Sequence, residues 1–204
     1  MPPAPEPALD DSELLAAVRA GDASAATTFH DRTRGVVART VTRLLGRHDS
    51  DAEDVTQLAF IELINTIERF RGDCPLDAWV SVITARVVYK QIRRRRLERK
   101  LFCAIPEQAV TLTHATAKRD LVFRDALRRV QEHLSRIDAN RSWTFLLHDV
   151  YGYDLKEVAS ITGVSVAAAQ SRLVRGRREV HERIAEDPEL AGIVADVCHA
   201  EDER

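Results

Sequence analysis

The stretch from Asp51 to Arg96 constrains this chain more than any other: it reads as two helices joined by a tight turn. In the first, about Ser50 to Phe70, the apolar residues Ala59, Phe60, Leu63, Ile64, Ile67 and Phe70 share one side at about 100° per residue. Asp51, Asp54, Gln57, Glu62, Asn65 and Glu68 fall opposite. Leu58 and Ile61 sit among these polar groups. Either they pack under another helix of the same domain, or they form the apolar centre of an acidic partner-binding face. Gly72 suits the end of this helix, and Pro75 suits the first turn of the next. The second helix has a core stripe at Leu76, Val80, Ile83 and Val87. Beside it runs a face of Trp79, Val82, Arg86, Tyr89, Lys90 and Arg93, ending in the run Arg93 to Arg96. Aromatics interleaved with cations suit unpaired nucleic acid, whose phosphates attract the cations and whose bases stack on the rings. The alternative is a solvated cationic helix end favoured by the helix dipole.

The 46-residue phrase DAEDVTQLAFIELINTIERFRGDCPLDAWVSVITARVVYKQIRRRR resembles the promoter-melting and polymerase-binding domain of extracytoplasmic-function sigma factors, a branch of the sigma-70 family. Residues that fit the family pattern include Asp51, Ala52, Glu53, Asp54, Gln57, Phe60, the Arg69–Gly72 run, Ala78 and Trp79.

Charge supports the same division of labour. The chain has 30 basic and 32 acidic residues, a formal net charge of −2, so the overall balance carries no nucleic-acid signal. The distribution does: acids gather between Asp49 and Glu68, cations between Arg86 and Lys100. The three cysteines, Cys74, Cys103 and Cys198, form no close pair, which argues against a disulfide framework or a structural zinc site. Met1 to Pro7 is proline-rich without the apolar core of a secretion signal, and no stretch approaches membrane-span length. A reducing cytoplasm is the expected location.

In order along the chain, residues 1–10 are expected to be a disordered lead-in. Asp10, Asp11 or Ser12 caps a short helix carrying Leu14, Leu15 and Val18, and a second covers about Ala23 to Leu45. Residues 11–96 form the first domain. Residues 97–119, with Pro106 and no sustained periodicity, form a flexible linker. Residues 120–186 form the second domain. Within it Leu155 to Ile161 is a short helix, Gly163 a turn, and Ser165 the cap of a helix to about Ile184, with Ala159 at the crossing and Val164 and Ala169 inward. This is the pattern of a helix-turn-helix, which a tight helical hairpin in a bundle also imitates. Residues 187–204 form an amphipathic tail. The fold class expected is therefore all-α, two small helical domains on a flexible linker, the second with a helix-turn-helix.

FLLHDVYGYDLKEVASITGVSVAAAQSRLVRGRR is similar to the minus-thirty-five-reading domain of the same sigma factors. Ala169 stands where the family usually has valine, and Gln170 where it has lysine. Near the minus-ten face, Arg86 stands where asparagine is common and Ala85 where arginine is usual. The resemblance implies a transcription initiation factor that performs no chemistry of its own and needs no cofactor or metal. It implies core polymerase binding by Asp51, Asp54, Gln57, Leu58 and Ile61. Minus-ten contacts fall to Arg71, Asp73, Trp79, Arg86, Tyr89, Lys90 and Arg93. On the second domain, Ser165, Val166, Ala167, Ala168, Gln170 and Ser171 would face the major groove, where Gln170 suits an adenine edge and an apolar group a thymine methyl. Arg172, Arg175 and Arg178 would hold phosphates or read a guanine. The partners implied are core RNA polymerase, promoter DNA (duplex at minus thirty-five, single-stranded at minus ten) and an anti-sigma factor. An ordinary helix-turn-helix repressor or activator is the alternative. An enzyme on nucleic acid is not supported: there is no phosphate-cradling glycine loop and no nucleophile signature.

Overall fold

The computed structural model describes residues 10–101 and 119–190, with side chains except at 97–101 and 119–124. Residues 1–9 of the expected lead-in, residues 102–118 of the expected linker and the tail beyond 190 lie outside the described residues. The described residues form helices, turns and loops, without a strand. The chain divides into two compact units, Met1–Ala104 and Ile105–Arg204.

The first unit begins with α1, Asp11–Arg19, whose N-cap Asp10 forms a reciprocal capping box with Glu13. Gly21, at φ 84°, turns the chain, and Asp22 caps α2, Ala23–Leu45. Helix α3, Ala52–Thr66, continues as a 3-10 turn, Ile67–Arg69. Helix α4, Leu76–Leu101, lies against both α2 and α3. Phe29, Val37, Val41, Val55, Leu63, Val80 and Val88 are fully buried between them. Each such side chain contributes about 1.5–3 kcal/mol of burial free energy.

Two expectations change here. Because α4 is packed on two sides, its buried arc is wider than a single stripe: Ala85, Val88 and Tyr89 join Leu76, Val80, Ile83 and Val87. Tyr89 is 6% exposed and so lies in the core, not on the solvent-facing aromatic-cation surface. On α3 the buried line is Val55, Ala59, Leu63, Thr66 and Ile67, which leaves Ile64, expected inside, 44% exposed.

The second unit holds α5, Arg119–Ser135; α6, Ala139–Phe145, capped by Asp138; and a π turn, Leu146–Val150. Leu147 is fully buried there, while Val150 is exposed at the end of the wider turn. Helix α7, Leu155–Thr162, has a capping box between Asp154 and Glu157 and ends at Gly163 in the left-handed region, φ 71°. Ser165 caps α8, Val166–Ala185, its hydroxyl accepting from the Ala168 N–H at 3.2 Å. Ala169 and Ala159 are buried where α7 and α8 meet, and Val164 is half-buried. Helices α6 and α8 approach so closely that a Cβ on Gly176 would stand 2.9 Å from the Arg141 carbonyl oxygen.

The start of the tail is docked. Asp187 accepts a hydrogen bond from His133 Nε2 at 2.9 Å, Arg129 pairs with Asp187 and Glu189, and Leu190 is buried. The His133 bond, with help from the Leu190 N–H and Arg129, lowers the Asp187 carboxyl from 3.8 to about 2. A depressed carboxyl stabilises the docked state above its unfolded value and ceases to do so as pH falls through its folded one. Docking of residues 187–190 is therefore expected to weaken between pH 3.8 and about 2. A carbon-13 carboxyl titration of Asp187 checks this: the midpoint is expected near 2 in the native chain and higher in His133→Ala.

Candidate polymerase and promoter interfaces

Helix α3 has two apolar sides. Counting about 100° per residue, Leu58, Ile61 and Ile64 centre roughly opposite the buried line. They are 46%, 57% and 44% exposed. Asp54, Gln57 and Asn65, all exposed, share their face. Of the two arrangements open from sequence, packing under another helix of the unit is not the one adopted. Contiguous exposed aliphatics on a rigid helix, ringed by polar groups, form a surface suited to a partner.

Asp51 is not a free member of this face. At the α3 N-cap it makes no capping bond, because its carboxylate turns to Arg95. Arg95 Nε donates to Asp51 at 2.8 Å, and its two terminal nitrogens donate to Asp49 at 2.7 Å each. The guanidinium is 19% exposed, and the Asp49 bonds above all, then Asp51, hold it well above the ordinary arginine range against the cost of burial. From sequence, Arg95 belongs to the Arg93–Arg96 run, which suits either unpaired nucleic acid or a solvated helix end; neither describes its part-buried ion pairs. The overlooked signal is spacing: Arg95 lies two helical turns past buried Val88, on the inner side of α4. Arg95→Ala leaves two carboxylates facing each other and is expected to lower the unit's stability by about 2 kcal/mol. Urea denaturation of the variant measures this.

The loop between the 3-10 turn and α4 carries exposed Arg71, Gly72 at φ 79°, exposed Asp73 and the free thiol of Cys74. Phe70 and Trp79 brace it, ring centroids 5.3 Å apart and nearly edge to face. Along α4, Arg86 is half-buried, while Lys90 and Arg93 are exposed. Lys90 stands 4.0 Å from Glu62, a solvated pair of small energetic weight. Arg71, Asp73, Trp79, Arg86, Lys90 and Arg93 thus remain on or near the surface, and Tyr89 does not. The loop is tied to α1: Arg19 Nη2 donates to the carbonyl oxygens of Ile67 at 2.9 Å and Phe70 at 2.8 Å. No local pattern around Arg19 points to this link, which spans 48 and 51 positions along the chain.

In the second unit the exposed end of α8 presents Val166, Ala167, Gln170 and Ser171, with Ala168 half-buried. Ser165 is also exposed, but its hydroxyl serves the cap. Arg175 folds back on Ser171, donating to its hydroxyl at 2.5 Å and its carbonyl at 3.2 Å; Arg178 lies 3.7 Å from Glu182 and Arg172 is half-buried. Such exposed bonds exchange readily for phosphate contacts. Arg177 makes a two-pronged bond to Asp149, at 2.7 and 2.5 Å, clipping α8 to the turn before α7. That bond, reinforced by His148, holds the Asp149 carboxyl below the usual range. Among the described residues no cluster of His, Cys, Asp and Glu could hold a metal ion, and no helix is long and apolar enough to cross a membrane.

The second unit thus has the geometry of a helix-turn-helix DNA-binding protein. Comparison with known proteins narrows that class. Residues 29–98 match the family model Sigma-70 region 2, and residues 127–180 match Sigma-70, region 4. The chain belongs to the sigma-70 family, in its extracytoplasmic-function branch. It is 25% identical over 183 residues to the ECF RNA polymerase sigma-E factor of Haemophilus influenzae, covering 86% of this chain and 96% of that one. It is 26% identical to the RNA polymerase sigma factor CnrH of Cupriavidus metallidurans over 186 residues, 88% of this chain and 97% of that one. Its fold is similar to that of the sigma factor RpoE of Bartonella quintana, solved with the anti-sigma factor NepR: TM-score 0.51, 20% identity, 79% of this chain and 97% of that one.

Proposed function

We propose that this protein is a transcription initiation factor that binds core RNA polymerase and directs it to promoters bearing minus-ten and minus-thirty-five elements. The observation that carries the reading is the pairing of two surfaces in one chain: the Leu58/Ile61 face on α3 and the exposed reading end of α8. A protein that only reads duplex DNA needs the second surface and not the first. Asp54, Gln57, Leu58 and Ile61 are the polymerase contacts, joined by Ile64; Asp51 acts mainly by fixing the start of α3 through Arg95. Arg71, Asp73, Trp79, Arg86, Lys90 and Arg93 hold the unpaired minus-ten strand, with Trp79 supplying an aromatic surface for a base.

At minus thirty-five, Val166, Ala167, Ala168, Gln170 and Ser171 face the base edges, Ser165 starts the helix, and Arg172, Arg175 and Arg178 hold the backbone. Gln170 is the one long polar side chain among the groove-facing residues up to Ser171, so DNA shape and phosphate contacts share the recognition. The domains are residues 11–96 and 120–186, working in the cytoplasm without chemistry of their own. An anti-sigma factor as the controlling partner is supported by the relative solved with one.

Footprinting tests the reading. Core polymerase with this protein is expected to protect both elements and make thymines near minus ten reactive to permanganate, while either component alone does neither. Protection of duplex DNA by the protein alone, without opening, supports a repressor or activator instead.

A further inference from the structure

We propose that Arg19 is a positioning residue for promoter opening: it fixes the loop that presents Arg71 and Asp73 to the unpaired strand. The inference rests on the minus-ten reading of that loop. Arg19 is the last residue of α1, and its backbone is held on both sides. Leu14 and Leu15 bury α1 against the core, while the Ala20, Gly21 and Asp22 N–H groups close the corner onto Ala16, Val18 and Ala17 at 3.0, 3.0 and 3.1 Å. From that fixed base one nitrogen, Nη2, bridges the carbonyls of Ile67 and Phe70 at 2.9 and 2.8 Å. These carbonyls bracket the 3-10 turn in which α3 ends, where helical partners run out. Phe70 is also the residue whose ring braces Trp79.

Arg19 therefore sets the position from which the chain departs into Arg71, Gly72 and Asp73. A cleft of 710 Å³ lies at this junction, lined by Arg19 and Arg32 on one side and by Phe70, Arg71, Gly72 and Cys74 on the other. Arg32 is paired with Asp11 at 2.5 Å and does not reach the loop carbonyls. The remaining tie, Arg19 to Glu68 at 3.8 Å, is an exposed ion pair of small weight.

A loop that captures bases discriminates among them only if its groups are held in place before the strand arrives. Loss of the bridge should therefore reduce preference between bases more than it reduces general attraction to DNA. The test uses core polymerase bound to the full chain, and single-stranded oligonucleotides carrying the minus-ten sequence or single-base changes of it. In Arg19→Ala, preference for the matched strand is expected to fall about fivefold, near the lower end of what one stacked base supplies. Affinity for core polymerase should stay within about twofold, as for a surface change away from that interface. Glu68→Gln, which removes only the weak ion pair, should keep the native preference.

Two results overturn the proposal. One is an unchanged preference in Arg19→Ala. The other is an equal loss of affinity for matched and mismatched strands, which would mean that Arg19 contributes charge alone. If the unaltered complex shows no strand preference at all, the minus-ten reading fails first, and the two failures are told apart by that control.

Discussion

Glutamate at both Leu58 and Ile61 is expected to weaken binding to core polymerase by roughly a thousandfold, at about 2 kcal/mol for each central interface residue. The stability of the free protein should hardly change. Both side chains are about half exposed and lie roughly opposite the buried line of α3, so neither substitution opens a cavity. Surface changes of this kind usually stay within about 0.5 kcal/mol. The effect on binding has two parts. Burial of two aliphatic side chains is lost, and two carboxylates must be dehydrated beside Asp54. Ile64→Glu should act in the same direction. Anisotropy titration of labelled protein with core polymerase measures the affinity, and thermal melting measures the fold. An unchanged affinity would remove the α3 face from the polymerase interface.

Valine at Gly176 is expected to destabilise the second unit by about 3 kcal/mol. The Cβ alone would sit 2.9 Å from the Arg141 carbonyl oxygen and 3.4 Å from its carbon, which are backbone atoms of α6 that no rotamer change can move aside. Helices α6 and α8 must separate, and the Arg141–Glu179 ion pair and the burial of Leu173 and Val180 are disturbed with them. Alanine makes the same contact without the branched methyls, and its better helix propensity returns up to about 1 kcal/mol, so Gly176→Ala should cost less than the valine. For a unit of this size 3 kcal/mol corresponds to a fall in Tm of roughly 15 °C. Duplex binding at minus thirty-five should fail at the temperature where the unit melts. A valine variant as stable as the native chain would show that the two helices part easily.

Much of this architecture is legible because local signals agree with one another. Capping boxes at Asp10/Glu13 and Asp154/Glu157, glycines at 21, 46 and 163, and the Ser165 cap mark helix ends by chemistry that acts within a few residues. Leu58 and Ile61 stand out in the sequence as apolar residues in a polar arc, but that pattern fits burial under a neighbour as well as exposure, and the fold decides for exposure. The departures arise where the answer depends on what packs from elsewhere. Tyr89 is inside because α2 and α3 both cover α4, and a one-sided periodicity cannot register two neighbours. Ile64 is outside for the converse reason: the line through Val55, Ala59 and Leu63 already satisfies α3's contact with the core.

Pairings across long sequence separations are the least legible. Arg95 meets Asp49 and Asp51 more than 40 residues away, Arg19 meets Phe70 across 51, and Arg177 meets Asp149 across 28. Each arginine reads locally as one more solvated cation. Only the folded arrangement separates those that hold the protein together from Arg71, Arg93 and Arg175, which remain exposed.

Run-off transcription from a library of promoter-length duplexes, with core polymerase in the presence and absence of the protein, asks whether this chain enables initiation. Transcripts are expected to start only when the protein is present, downstream of a shared pair of spaced elements, and to disappear with the Leu58/Ile61 double glutamate variant. Binding to duplex DNA with no protein-dependent start at any sequence would contradict the proposed function and make the chain a helix-turn-helix regulator acting outside the polymerase.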